Sequence, residues 1–220
     1  MTEQLIFNFP FKKSYLSQDF YVSENNINAY KLIESWPNWT SRLVNIFGPK
    51  GCGKTHLINI LENKIDSTLI EGSKVDSKVL LKYKVKECLI IDDFNNEIDE
   101  KLFYTIINMG LQDNKYLIIS SLNPIKSFKV NLKDLSSRFT SFVEVGIDSP
   151  TDDLLRVILT KNFSDKQIKI TKKNVEFILK NIDRSFEKVN LFTNLIDNLS
   201  LTKAKPINLT LIKKVLKEIN

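Results

Sequence analysis

Apolar residues fall along this chain in two rhythms. Between residues 43 and 146 they gather in short, mostly apolar runs, at Leu43–Phe47, Thr68–Ile70, Cys88–Ile91, Tyr116–Ser120 and Phe142–Val145. A strand covered on both faces reads in this way, because neither side of its pleat meets water. Helical periodicity lies between several of the runs, most clearly at Ile98–Leu111, and precedes them at Asn25–Trp36 with Ile27, Tyr30, Leu32 and Ile33 as apolar positions. Pro37 ends that first helix. Strands alternating with helices predict an α/β fold: a five-stranded parallel sheet between two helical layers. After Ser149-Pro150 the texture changes. Residues 151–163, 171–181, 186–200 and 208–219 show helical periodicity with no strand between them, and Thr171 has N-cap chemistry. The expected organisation is an N-terminal arm over residues 1–18, an α/β unit over 19–149 and a small all-helical unit over 150–220.

Composition changes this picture little. At 220 residues the chain is long enough to bury a real core. No apolar run approaches a membrane span, and the N-terminus lacks a basic stretch followed by an apolar signal core. Cys52 and Cys88 are the only cysteines, and neither has a metal-ligand spacing. A reduced, cytoplasmic setting without membrane contact is expected. The net charge of +6 comes from lysines scattered through Lys74–Lys86, Lys161–Lys180 and Lys203–Lys217 among acids and apolar residues. That pattern suits a solvated surface more than a dedicated DNA face, while leaving room for a weak DNA contact. Only four arginines occur, Arg42, Arg138, Arg156 and Arg184.

Candidate chemistry centres on Gly48-Pro49-Lys50-Gly51-Cys52-Gly53-Lys54-Thr55, which has the GxxxxGK[ST] spacing of a nucleotide-phosphate cradle. It lies between the Leu43–Phe47 strand and a helix beginning near His56, the order such a loop requires. Gly48, Gly51 and Gly53 let backbone N–H groups turn around an anion, with Cys52 in the same curve. Lys54 would reach the terminal phosphates and the Thr55 hydroxyl would hold a magnesium ion. The helix N-terminus adds its dipole, and His56 stands there as a polar or packing contact. The expected ligand is ADP or ATP with Mg2+.

Behind the loop, Cys88–Ile91 runs into Asp92 and Asp93. A buried strand ending in two carboxylates places Asp92 to hold the magnesium and Asp93 to orient an attacking water. Ser120 and Ser121 end the next strand, where a hydroxyl could sense phosphate or water. Arg138, in Leu135-Ser136-Ser137-Arg138-Phe139, suits an arginine finger acting on a neighbouring subunit's nucleotide; an ordinary surface ion pair is the alternative. At the start of the chain, Gln4-Leu5-Ile6-Phe7-Asn8-Phe9 offers apolar anchors to a partner's pocket, or else folds back on its own domain.

Together these residues resemble the DnaA branch of the AAA+ ATPases, and within it the Hda type of DnaA-related regulator. Gly53-Lys54-Thr55-His56-Leu57 has the branch's form of the phosphate loop, and Leu89–Asp93 matches its Walker B strand. Asp19-Phe20-Tyr21-Val22, with Asn26 and Ala29, is similar to the entry segment beside the adenine, which carries Phe20 and Tyr21 into the nucleotide site. Leu102–Pro124 parallels the stretch through the sensor 1 strand, and Ser136–Phe139 matches the segment bearing the arginine finger. The resemblance implies an AAA+ αβα core followed by a helical lid. It also implies that Gln4, Leu5, Phe7 and Phe9 bind the DNA polymerase III sliding clamp.

Three features point to the regulator and away from the initiator. The chain stops after the lid, Glu71 to Cys88 is shorter than the initiator's insertion, and the clamp-type hexapeptide is present. The implied function is negative regulation of replication initiation, in which Arg138 promotes hydrolysis of ATP bound to DnaA. One departure bears on the chain's own turnover: Lys188 stands where the lid arginine of sensor 2 belongs, and a lysine cannot reproduce a bidentate grip. Leu122 likewise replaces an acidic residue near sensor 1. Weak or no intrinsic ATPase activity follows, although Asp93 is retained. A DNA- or helicase-binding adaptor and a self-contained P-loop ATPase are the rival readings. The Arg138 face is compatible with a homodimer as well as with a monomer awaiting its partner.

Overall fold

The structure, a computed structural model, describes residues 20–95, 97–203 and 207–219. Five strands form one fully parallel sheet: β1 (Leu43–Phe47), β2 (Ser67–Glu71), β3 (Cys88–Phe94), β4 (Tyr116–Ser121) and β5 (Val143–Gly146), in the order β2-β3-β4-β1-β5. Helices α1 (Ile27–Glu34), α2 (Lys54–Glu62), α3 (Val79–Val85), α4 (Glu100–Gln112) and α5 (Lys133–Phe139) accompany it. After it come α6 (Asp152–Asp165), α7 (Lys172–Asn181), α8 (Phe186–Lys203) and α9 (Leu209–Ile219). The described residues divide into two compact units, one formed by residues 20–49, 53–95 and 97–148, the other by residues 50–52, 149–203 and 207–219. No described helix is long and apolar enough to cross a membrane.

The apolar runs of β1, β3 and β4 are strands because both sheet faces are covered there, whereas the edge strands β2 and β5 are only half-buried and correct the expectation of five buried strands. Leu43, Leu89, Ile91, Leu117 and Ile119 pack into a core with Phe103, Ile106 and Ile107 of α4 and Leu135 and Phe139 of α5. The alternate residues Val44, Ile46, Ile90 and Ile118 are buried as well, as are Leu57, Ile58 and Leu61 of α2. Period-two alternation therefore distributes one apolar run over two cores. In the helical unit, Leu155, Leu159, Phe163, Ile178, Phe192, Ile196, Ile212 and Val215 supply the interior. Thr171 caps α7 as its chemistry suggests, accepting from the Asn174 N–H at 3.3 Å.

Two helices depart from the periodicity reading, and both are short. The α3 helix has seven residues, of which only Val79 and Tyr83 are buried, and α5 has seven with only Leu135 and Phe139 buried. Two apolar positions four apart are too little periodicity to stand out in a lysine-rich or serine-rich stretch. Tertiary ties hold α3 in place. The Lys115 ammonium donates to the carbonyls of Tyr83 at 2.9 Å and Lys86 at 3.0 Å, and also to that of Lys84, which satisfies the exposed carbonyl end of the helix. Strand β3 also runs three residues beyond the expected Ile91. A bulge at Asp92-Asp93 lets Phe94 resume pairing, opposite Ser121.

Burial raises two acid groups beneath α3. The Tyr83 phenol is pushed well above its ordinary range, chiefly by burial and secondarily by Cys88 and Asp113. The Cys88 thiol is pushed up by burial, with Glu87 adding to the effect. Both are neutral when protonated, and the unfolded chain ionises them at ordinary values of 9.0 for the thiol and 10.0 for the phenol. Above pH 9 the unfolded state therefore binds fewer protons than the folded one, and stability falls as pH rises. Denaturant midpoints measured from pH 8 to 11 should decline more steeply for the wild type than for a Tyr83→Phe/Cys88→Ala variant.

Candidate functional site

The phosphate loop leaves β1 at Gly48 and enters α2 at Lys54. Gly53 sits at φ 102°, a left-handed conformation that favours glycine, and a β-carbon there would lie 2.9 Å from Cε2 of Phe20. Lys54 is buried, and its ammonium donates to the loop's own carbonyls of Gly48 at 2.8 Å and Pro49 at 3.0 Å. Thr55 begins the exposed side of the helix, next to His56. Cys52 is buried, and Gly51 is exposed with φ 75°.

The carboxylate of Asp92 joins three elements. The Thr55 hydroxyl donates to its Oδ2 at 2.8 Å, and the Ser120 hydroxyl donates to its Oδ1. Ser120 is completely buried, and its oxygen also accepts the Asp93 N–H at 2.9 Å. Asp93 adopts φ 56°, a left-handed conformation that aspartate tolerates better than most residues. Its exposed carboxylate makes no hydrogen bond among the described residues. A hydroxyl and a carboxylate side by side are hard oxygen donors that fit magnesium, which usually keeps waters and phosphate oxygens and needs few protein ligands.

Near the loop, Phe20 stacks on Tyr30 at 5.8 Å and meets the ring of His56 edge-on at 5.3 Å. His56 is thus engaged with an aromatic wall. Tyr21 is half exposed, and its carbonyl accepts the Asn26 side-chain N–H at 2.9 Å. Asn26 also accepts the Ser23 N–H at 2.9 Å, so this buried side chain shapes the entry segment.

Arg138 lies on α5, partly buried between the core residues Leu135 and Phe139. The other arginines are all engaged. Arg42 lies over the Tyr116 ring at 4.8 Å, Arg156 pairs with Asp153 and Glu176, and Arg184 pairs with Asp152 at 2.9 Å. The Arg138 side chain makes no ion pair, hydrogen bond or ring contact among the described residues. Glu100 secures the chain just before α5, accepting from the N–H groups of Asn131 at 2.9 Å and Leu132 at 2.8 Å. Lys188 belongs to the helical unit, where its ammonium donates to the Ile219 carbonyl and lies 3.7 Å from Asp183. Gln4, Leu5, Phe7 and Phe9 fall outside the described residues.

Sequence reasoning missed Asn45 and Gly72. Asn45 is fully buried in β1; its amide donates to Ser121 Oγ at 2.8 Å and its carbonyl oxygen accepts the Ile125 N–H at 2.8 Å. A polar residue inside an otherwise apolar run was its visible signal. Gly72 follows β2, and a β-carbon on it would lie 2.5 Å from the Asp93 carbonyl oxygen. Its requirement is set by a strand distant in sequence, so nothing local marks it.

Comparison with known proteins places these features in context. A family model described as RNA helicase matches residues 44–142, a span from β1 to the residue before β5 that covers less than half of the chain. The chromosomal replication initiator protein DnaA of Borreliella afzelii is 27% identical over 97% of this chain and 50% of its own length. The chain therefore spans about half the length of such relatives. Domain III of Thermotoga maritima DnaA superposes with a TM-score of 0.80 at 19% identity, covering 96% of this chain and 99% of that one. AMPPCP-bound DnaA from Aquifex aeolicus gives 0.69 at 19% identity, over 89% of this chain and 68% of that one. The fold is that of domain III of DnaA, and the sequence is similar to DnaA over 97% of its length.

If Thr55 and Asp92 hold magnesium, binding of a fluorescent (mant) adenine nucleotide should follow a specific pattern. Lys54→Ala should weaken binding with or without the metal. Asp92→Asn and Ser120→Ala should abolish or weaken only the Mg2+-dependent increment, Ser120→Ala by about ten- to a hundredfold in metal affinity because it removes the partner that orients the carboxylate.

Proposed function

We propose that this chain is a DnaA-related, nucleotide-holding regulator of replication initiation that presents Arg138 to ATP bound on a DnaA initiator. The observation that carries the reading is the state of Arg138. It alone among the four arginines has no side-chain partner among the described residues, and it sits on a helix whose approach Glu100 anchors. A guanidinium without an internal partner is available to the charge that develops on a transferred phosphoryl group.

In this reading ADP or ATP is the chain's own resident ligand. Gly48–Thr55 would cradle its phosphates, Phe20 and Tyr21 would lie toward the base, and Thr55 with Asp92 would hold Mg2+, which neutralises phosphate charge when bound. Asp93 would orient a water, and Lys188 would face the nucleotide as a weak sensor 2. The helical unit over 150–220 would act as the lid. The N-terminal arm, through Gln4, Leu5, Phe7 and Phe9, would bring the protein to the sliding clamp in the cytoplasm, the role the Hda resemblance implies.

ATP hydrolysis by DnaA, measured with DNA-loaded clamp, should rise when this protein is added. Arg138→Ala should return it to DnaA's basal rate while nucleotide and clamp binding persist. Replacing Gln4, Leu5, Phe7 and Phe9 by Ala should remove clamp binding and with it the stimulation. An unchanged hydrolysis rate, or equal stimulation by the Arg138 variant, would sink the proposal. Glu100→Ala tests the positioning of α5: stimulation should fall, with clamp binding and mant-nucleotide affinity intact.

A further inference from the structure

We infer that the sheet edge opposite the phosphate loop carries a docking groove for an acidic amphipathic segment of another protein. The strands are all parallel, so their amino ends share one edge and the Thr55–Asp92 site lies at the other. At the amino edge is a cleft of about 470 Å³ whose walls include Trp36, Pro37, Arg42, Val85 and Tyr116. The aromatic wall is already built, with Trp36 edge-on to Tyr116 at 4.5 Å and to Trp39 at 5.0 Å.

Helix α3 continues this surface. It buries Val79 and Tyr83 in its own domain but leaves Leu81 73% exposed and Val85 77% exposed. Those two residues are four apart and share one ridge, and Val85 is also a wall of the cleft. Two large aliphatic side chains held in water beside a preformed cleft mark a contact surface, where isolated exposed leucines would not. Lys115 fixes the end of α3 through three carbonyls, so the ridge is held rigidly against the cleft.

Charge selects the partner. Lys78 and Lys82 flank the ridge at helical spacing, with Lys84 beside it; all three are exposed and make no ion pair among the described residues. Between Gly72 and Cys88 five lysines face two acids, Asp76 and Glu87. Glu87 and Asp113 also line the cleft, and Lys86 is spent on Asp66, so the cationic excess sits along the ridge. A single-stranded nucleic acid would seek open aromatic faces for stacking. Here the exposed anchors are aliphatic, while Trp36 and Tyr116 are engaged with each other and Arg42 lies over the Tyr116 ring. An amphipathic polypeptide with apolar anchors and carboxylate flanks meets both features.

Trp36 and Trp39 are the only tryptophans, so intrinsic emission reports on this cleft. The probe is a Trp-free synthetic helical peptide of about 16 residues, with Leu and Phe at i, i+3, i+4 and i+7 and Glu on its polar face. Titration into the full chain should shift the emission and saturate. Leu81→Ser/Val85→Ser and Lys82→Glu/Lys84→Glu should each weaken binding by about tenfold or more, with mant-nucleotide affinity unchanged as the control for folding. The charge-reversed variant should prefer the same peptide with Lys in place of Glu. Absence of saturation, equal affinity of wild type for acidic and basic peptides, or insensitivity to both double variants would overturn the inference. So would tighter binding of an oligo-dT strand that is lost in the same variants, which would make the face a nucleic-acid surface.

Discussion

One carboxylate organises the carboxyl-end edge of this sheet. Asp92 receives a hydroxyl from α2 through Thr55 and another from β4 through Ser120, so three elements meet on one side chain. The meeting depends on register. Ile91 stands opposite Ile119, and Ile46 opposite Ser120, which brings the carboxyl ends of β1, β3 and β4 level. A slip of one residue in β4 would send Ser120 to the other face and present Ser121 in its place. The buried runs below prevent that slip, because it would also exchange the side chains of Leu117, Ile118 and Ile119 between the two cores. Each core is packed to interior density around particular side-chain shapes, so a misregistered strand would leave voids and overlaps on both faces at once.

The two serines show what such alternation does for function. Ser120 serves the Asp92 side, while Ser121 accepts from Asn45 and donates to the Asn123 carbonyl at 2.6 Å. Asn45 in turn accepts the Ile125 N–H, which ties down the turn after β4. Adjacent residues of one type therefore do unrelated work: one completes the carboxylate clamp, the other braces the loop that leads toward α5.

The pattern of the chain announced the strands, the phosphate loop and the paired carboxylates, because each is a local signal with a local cause. Apolar runs become strands when both faces are covered, and the glycine spacing of the loop follows from backbone geometry alone. What stayed hidden depends on contacts between distant segments. The α3 and α5 helices each bury only two apolar positions, and the ties that hold them, Lys115 on α3 carbonyls and Glu100 before α5, cross about thirty residues of sequence. Gly72 is invisible for the same reason, since the backbone that excludes its β-carbon belongs to β3. Ser120 and Ser121 were recognisable as a pair, but which one faces the carboxylate required the register.

Arg138 is placed by rigid packing that begins at the carboxylates. Phe94 follows Asp93 directly and packs on Phe103 with ring centres 4.7 Å apart; Phe103 in turn reaches Phe139, the neighbour of Arg138, at 6.1 Å. Three buried rings thus connect the end of β3, through α4, to α5. Aromatic rings have few rotamers and pack at interior density, so this chain resists the small displacements that long aliphatic side chains would absorb. Glu100 adds a second constraint, holding the residues that enter α5 by their backbone N–H groups. A guanidinium on a long flexible stem gains little from being unpaired unless its Cα is held still. Here the Cα is fixed by the same core that carries Asp92 and Asp93, while the side chain itself is left without an internal partner among the described residues. That combination of a firmly held base and an uncommitted charge is what distinguishes Arg138 from Arg42, Arg156 and Arg184, whose guanidinium groups are spent within the chain.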